Sequence, residues 1–250
     1  MKKQDLTQMA EAMLAEVRRK PPSFAMIGLS GSGKSSVINR LFKTSLPVSH
    51  TRACTKEFIA SDIGLKMTQG AAAGKPVNLR VIDCPGLGED INLEDRYLNH
   101  YRQHLPDVDV ILYVSAARSR GAVALEQQHL QALKGFCGNL VFGLSQIDTV
   151  EGDWNNRLNR PSEQQAAYVA EISEDRAQRF STVLDRDVKF IPFSSRHGFG
   201  LQPLFTALIL ACPKERAWVF ESLKAFDFRQ FVPAAALKAL GGEFLNPQPR

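Results

Sequence analysis

What this chain lacks narrows its class before any motif is read. No apolar run approaches the roughly 18 residues that a membrane-spanning helix needs; the best, Leu204 to Cys212, is far shorter. The four cysteines, Cys54, Cys84, Cys137 and Cys212, lie far apart and form no CxxC pair. Structural zinc and a disulfide framework are therefore not expected, and a reducing cytoplasm is the expected compartment. His50, His104, His129 and His197 show no metal-ligand spacing and are expected on the surface or in loops. The chain opens Met1-Lys2-Lys3 and turns polar at once, which is not a secretory signal. No internal repeat or low-complexity segment stands out. The net charge of +5 on 250 residues is compatible with a ribosomal, RNA or anionic-lipid partner, but fits an ordinary solvated basic surface better.

What is present alternates. Strand candidates are Phe24 to Ile27, Leu79 to Ile82, Val108 to Val114, Leu140 to Leu144 and Val188 to Phe193. Between them lie helical stretches at 93–104, 122–136, 162–184 and 201–211, and a helical stripe Val37, Ile38, Leu41 and Phe42. That order predicts a mostly parallel sheet wrapped by helices on both faces, with residues 56–69 supplying an antiparallel edge strand and bringing the sheet to six strands. Leu6, Met9, Met13, Leu14 and Val17 recur at helical spacing and stop at Pro21-Pro22. Lys214 to Leu240 reads as two more helices split at Pro233. The expected organisation is an N-terminal helix (1–22), an α/β domain (23–212) and a C-terminal helical extension (213–250).

The run from Gly28 to Ser35, GLSGSGKS, fits G-x-x-x-x-G-K-[ST] completely, after a predicted strand and before a predicted helix, the context that identifies a P-loop NTPase. Its glycines let the backbone N–H groups of Ser30, Gly31, Ser32 and Gly33, continuing into Lys34, Ser35 and Ser36, curl around a β-phosphate at the positive end of the helix. Lys34 adds a charge between β- and γ-phosphates, and the Ser35 hydroxyl suits Mg²⁺. Asp83-Cys84-Pro85-Gly86 follows a predicted strand: the aspartate can hold a water of the Mg²⁺ shell and the Gly86 N–H can reach a γ-phosphate. Thr55 lies between the motifs, on a loop able to cover the phosphates and add a third metal ligand.

A P-loop with GKSS, a threonine about twenty residues on, and D-x-P-G resemble the Era-like branch of the P-loop GTPases, which includes TrmE, Era and the septins. "GKSSVINRLF…ACTKE…DCPGLGED" is most similar to bacterial 50S ribosome-binding-type GTPase domains, and there is a further similarity to the immunity-related GTPases, whose helical parts flank the G domain at both ends. The resemblance covers roughly residues 23–211. It implies that GTP and GDP are the ligands and Mg²⁺ the cofactor, with Lys34, Thr55 and Gly86 acting on the γ-phosphate. Such proteins read guanine with N/T-K-x-D. Here that motif is Ser145-Gln146-Ile147-Asp148: Asp148 matches the carboxylate that accepts from the base, Gln146 replaces the lysine, and Ser145 keeps part of the asparagine's hydrogen bonding. Ser194-Ser195-Arg196 stands for S-A-K, with the Ser195 N–H facing the guanine O6 and Arg196 available to stack. The structural alternative for Asp148 is a helix N-cap or turn residue.

Two departures shape the expected chemistry. Leu87 follows Gly86, where a glutamine orients the attacking water in Ras-like relatives; leucine cannot polarise water. Gly31 stands where some Era-like GTPases hold K⁺ with an asparagine. Glu89, Asp90, Arg52, Arg118 and Arg120 are charged residues near the site, each also explicable as a surface group. The leading expectation is a switch GTPase, slow alone, stimulated by self-association across the nucleotide face or by a ribosomal, RNA or protein partner. The alternatives are a pseudo-GTPase that holds GTP or GDP without efficient turnover, and an ATP-dependent P-loop kinase, for which no lid arginine cluster is visible.

Overall fold

The computed structural model describes residues 11–12, 15–42, 44–46, 58–66, 76–88, 91–135, 138–213 and 216. Its centre is a six-stranded sheet in the order β2-β3-β1-β4-β5-β8. The strands are β1 (Ser23–Ile27), β2 (Ile59–Lys66), β3 (Pro76–Asp83), β4 (Val110–Ala116), β5 (Leu140–Ser145) and, after a small hairpin, β8 (Phe190–Pro192). All pairs are parallel except β2 with β3, the antiparallel edge expected over 56–69. Every residue of β1 and β4 is buried. A parallel strand covered by helices on both faces has no solvent side, and so it reads as a continuous apolar run rather than an alternation.

The helices are α1 (Lys34–Phe42), α2 (Ile91–His104), α3 (Val123–Leu133), α4 (Glu163–Leu184) and α5 (Leu201–Ala211). One core lies between the sheet and α1 and α5: Phe24 and Met26 of β1 meet Val37, Ile38 and Leu41 of α1 and Leu204 and Leu208 of α5. The other lies against α2, α3 and α4, where Ile27, Ile111 and Tyr113 meet Tyr101, Leu130 and Phe180. Each fully buried Leu, Ile, Phe or Met contributes about 1.5–3 kcal/mol by leaving water, so the two layers together fix the strand ends that carry the motifs. α4 begins on a real cap, the Ser162 hydroxyl accepting from the Gln165 N–H, and ends at Asp185 in the left-handed region.

Two features were not expected. Trp154–Asn155 (β6) and Arg160–Pro161 (β7) form a two-stranded hairpin between β5 and α4; strands this short show no alternation. Second, Arg216 bonds both to the Lys20 carbonyl and to Asp109, 3.1 Å away, at the sheet end opposite the phosphate loop. Residues 15–19 are helical and Val17 is buried among α1 and α5 residues, in keeping with the C-terminal part of the expected first helix. The two helices expected over 214–240 lie outside the described residues, Arg216 excepted. No described helix is long and apolar enough to cross a membrane.

Candidate functional site

The sheet's register brings the motifs to one edge. Met26 of β1 sits opposite Asp83 of β3, and Ile27 opposite Tyr113 of β4, so the loops after β1, β3, β4 and β5 all leave the sheet at its C-terminal edge, where open α/β sheets bind ligands. Gly28 has φ +140 and a Cβ there would lie 2.2 Å from the Val114 carbonyl oxygen. Only glycine lets the phosphate loop descend this close to β4. The loop then turns through Gly31 and Gly33, both at positive φ, into the N-terminus of α1. Lys34 is buried, its ammonium donating to the carbonyls of Gly28 at 3.2 Å and Leu29 at 3.0 Å. Those bonds hold the charge over the loop's concave side.

Ser35 Oγ donates to Asp83 Oδ2 at 2.5 Å. A hydroxyl and a carboxylate side by side are hard oxygen ligands, and this donor chemistry fits Mg²⁺. Thr55, the third expected ligand, lies outside the described residues, as do Arg52, Glu89 and Asp90. The loop after β3 is stitched to the phosphate loop: Ser30 N–H donates to the Leu87 carbonyl at 3.0 Å and Leu87 N–H to the Gly28 carbonyl at 3.3 Å. Gly86 is pressed so close to Ser30 that a Cβ would lie 2.6 Å from its Cα. The Leu87 side chain is fully buried in the α2–α3 core, directed away from the solvent in which a nucleophilic water would move.

The loop after β5 is tied to the same phosphate loop by two side chains. Ser145 Oγ donates to the Ser32 carbonyl at 2.6 Å, and Gln146 Nε2 to the Gly31 carbonyl at 2.7 Å. Gln146 reaches it from a left-handed backbone, φ 57, a conformation uncommon for a residue of its size. The amide expected to lie on a purine is thus engaged with the phosphate loop, and it crosslinks the two motifs without a charge. Asp148 lies in the one-turn helix Ile147–Thr149, half-buried, and its carboxylate accepts nothing from a described residue. Ser195 and Arg196 lie on the tight turn closed by the Ser194 N–H to the Phe199 carbonyl at 2.9 Å; Ser195 is half-buried and Arg196 exposed.

Sequence reasoning missed a buried layer behind these loops. Ser115, at the end of β4, lies 3.3 Å from Ser145 Oγ through its carbonyl. Its hydroxyl donates to Glu126 Oε2 at 2.8 Å and accepts from Arg176. Arg176 and Glu126 are 3.7 Å apart and are 1% and 0% exposed. Loss of hydration pushes the Glu126 carboxyl up to about 7, with Arg176 and Ser115 opposing the shift. The signal was available: Glu126 falls on the apolar stripe Val123, Leu130, Leu133, and Arg176 on the stripe Val169, Phe180, Leu184. His129 is also corrected. Expected at the surface, it is buried and pairs with Glu94, whose other oxygen accepts from the Gly88 N–H at 3.0 Å. Burial holds the His129 imidazole below its ordinary range, against the pull of Glu94.

Comparison with known proteins gives this edge a family. Residues 23–139 match the family model for 50S ribosome-binding GTPases. The uncharacterised protein YfjP of Escherichia coli K12 is 30% identical over 214 residues, covering 84% of this chain and 69% of that protein. This chain belongs to the Era-like P-loop GTPases. Interferon-gamma-inducible GTPase 10 of the mouse is 25% identical over 169 residues, covering 68% of this chain and 38% of that protein. Among solved structures, Era of Aquifex aeolicus bound to GDP·AlF4⁻ superposes with a TM-score of 0.56 at 18% identity, over 77% of this chain and 57% of that one. That likeness shows the Era-like fold. The chain spans little more than a third of the mouse protein and just over half of the Era chain, so what those whole proteins do is not carried over to it.

Proposed function

We propose that the chain is a switch protein that binds GTP and GDP, hydrolyses GTP with Mg²⁺, turns over slowly alone, and is stimulated by a second copy across the nucleotide face or by a ribosomal, RNA or protein partner. One arrangement carries the reading. Two consecutive residues of the base-side loop, Ser145 and Gln146, bond to two consecutive carbonyls of the phosphate loop, those of Ser32 and Gly31. A nucleotide held by the phosphate loop therefore has Asp148 within the same rigid unit, and Asp148 has a carboxylate ready for the N1–H and exocyclic amine of guanine. Adenine offers no such pair of donors on that edge.

In this reading the backbone N–H groups of Ser30 to Ser36 surround the β-phosphate and Lys34 neutralises charge that grows on the β–γ bridge. Ser35, Asp83 and Thr55 would hold Mg²⁺, whose chemistry is to offset the charge on the phosphate oxygens. A water oxygen attacks the γ-phosphorus, the bond from phosphorus to the β-bridging oxygen breaks, and Gly86 N–H meets the γ-phosphate. Leu87, retracted into the core, does not position the water, so another residue, a partner or a second copy must do it, and turnover of the isolated chain should fall well below the roughly 1–100 s⁻¹ typical of kinases. A pseudo-GTPase reading rests on Leu87 and on the Ser-Gln replacement; the retained Lys34, Ser35 and Asp83 and the family favour turnover. Competition of GTP, GDP and ATP for a fluorescent guanine nucleotide, with single-turnover phosphate release at enzyme excess with and without Mg²⁺, tests the proposal. Equal competition by ATP, or no phosphate release under any condition, refutes it.

A further inference from the structure

The hairpin missed by sequence reasoning is not needed to complete the sheet or to bind phosphate. It is nevertheless firmly built. Gln165 of α4, fully buried, donates through Nε2 to the Val150 carbonyl at 2.8 Å. Ser162 N–H reaches the Asp153 carbonyl at 2.9 Å. Gly152, φ +113, sits so tightly on Gln165 that a Cβ would lie 2.9 Å from that residue's own Cβ. At its start the hairpin is anchored to the base-side loop, where Thr149 Oγ1 donates to the Gln146 carbonyl at 2.7 Å.

What this support presents is Trp154. Its indole stacks on the His197 imidazole with centroids 4.4 Å apart and planes 24° from parallel, and meets Phe199 edge-on at 5.6 Å. Asn159, buried and at φ 50, donates through Nδ2 to the His197 carbonyl at 2.9 Å. His197 N–H in turn reaches Ser194 Oγ at 3.2 Å. The turn 194–199, which carries Ser195 and Arg196, is therefore gripped from outside at three points: one ring face, one ring edge and one carbonyl. Trp154 Nε1 has no hydrogen-bond partner among the described residues, so the indole acts through its face and edge alone.

We propose that this hairpin is part of the base subsite: Trp154 and Asn159 are positioning residues that hold the 194–199 turn at the distance from Asp148 needed to clasp a guanine between the two loops. The inference rests on the guanine-nucleotide reading given above. His197 is the joint of this support, held by Trp154, Asn159 and Ser194, and the charge of Asp148 also reaches its imidazole, opposed by those of Arg196 and Arg40. Burial holds that imidazole below its ordinary range, so at neutral pH the stack consists of two uncharged rings. Stacked aromatic pairs of this kind add to affinity by fixing geometry rather than by touching the ligand.

The test uses the full chain and Trp154→Ala, Trp154→Phe and Asn159→Ala, with thermal melts to confirm folding. GDP affinity and pyrophosphate affinity are measured for each; pyrophosphate reports the phosphate loop without the base. Trp154→Ala and Asn159→Ala are expected to lose about tenfold or more in GDP affinity with pyrophosphate binding unchanged, and Trp154→Phe, which keeps a ring and sacrifices no hydrogen bond, to stay within about threefold of wild type. In a Trp218→Phe background, GDP is expected to change the emission of Trp154. Wild-type GDP affinity in both alanine variants, or an equal loss for pyrophosphate and GDP, overturns the inference. Failure of the wild-type chain to bind GDP at all is a different result, seen before any variant is made, and it overturns the guanine reading itself.

Discussion

Glu126→Gln should leave the protein unchanged in acid and stabilise it in base, the reverse of what breaking an ion pair usually does. The carboxyl is fully buried, its Oε2 accepting from Ser115 Oγ at 2.8 Å and its Oε1 without a partner among the described residues. Loss of hydration outweighs the attraction of Arg176, so the group titrates near 7 instead of its ordinary 4.5. A carboxyl whose folded value is raised contributes its stability in the neutral form: the contribution is complete below pH 4.5 and is lost as pH rises through about 7. The interval between those values corresponds to about 3 kcal/mol. Glutamine keeps an acceptor for Ser115 and cannot ionise, so the variant escapes that loss, while the Arg176 guanidinium retains its bond to Ser115. For a chain of this size about 3 kcal/mol moves the melting temperature by roughly 6–12 °C. Thermal unfolding followed by circular dichroism at pH 4 and pH 8.5 measures it: the two proteins should melt within a few degrees of each other at pH 4, where both the folded and the unfolded carboxyl are protonated, and separate at pH 8.5, the variant higher. A variant that melts lower than wild type by the same margin at both values refutes the reasoning, because Glu126 would then act as a simple ion-pair partner.

Other expectations follow from single contacts. Lys34→Ala should abolish GTP binding in a fluorescence titration while the far-ultraviolet spectrum is retained, since the Lys34 ammonium bonds carbonyls of the phosphate loop; wild-type affinity would remove the phosphate-loop assignment. Ser145→Ala strips the buried Ser32 carbonyl of a 2.6 Å donor and should cost about 1–3 kcal/mol by denaturant unfolding, with weaker GDP binding beside it; unchanged stability and affinity would show that Gln146 alone ties the loops. Tyr101→Phe removes the buried hydroxyl that donates to the Pro85 carbonyl and should cost about 1–3 kcal/mol, seen as a lower melting temperature; a melt equal to wild type would show that the carbonyl finds another donor.

The sequence made the architecture and one half of the site legible, for reasons that differ by element. Strands β1 and β4 are apolar throughout because both faces are covered, and GLSGSGKS is a contiguous motif whose geometry is local. Antiparallel β2 could be placed because its neighbours left an edge. The ties between motifs were not legible. Ser145 to Ser32 spans 113 residues and Gln146 to Gly31 spans 115, and a pair so distant leaves no periodicity on the chain. Glu126 and Arg176 were legible in principle, as charges on apolar stripes, yet each alone looks like an ordinary helix residue until α3 and α4 meet over Ser115. His129 was placed at the surface because a lone histidine carries no sign of burial; its partner Glu94 lies on another helix. Trp154 marks a hairpin too short for alternation, and its proposed role depends on a stacking partner 43 positions away, at His197.

The central claim is that Asp148 reads guanine, and Asp148→Asn tests it most directly. In the proposed reading the carboxylate accepts from the N1–H and the exocyclic amine of guanine; an amide offers a donor that suits the 2-oxo group of xanthine instead. GDP and XDP affinities are measured for wild type and variant by displacement of a fluorescent guanine nucleotide, or of its xanthine counterpart for the variant. The expected result is a loss of at least about tenfold for GDP, roughly 1.4 kcal/mol, together with a gain for XDP. A variant that binds GDP as wild type does and XDP no better would contradict the account, and would leave Asp148 as a turn residue.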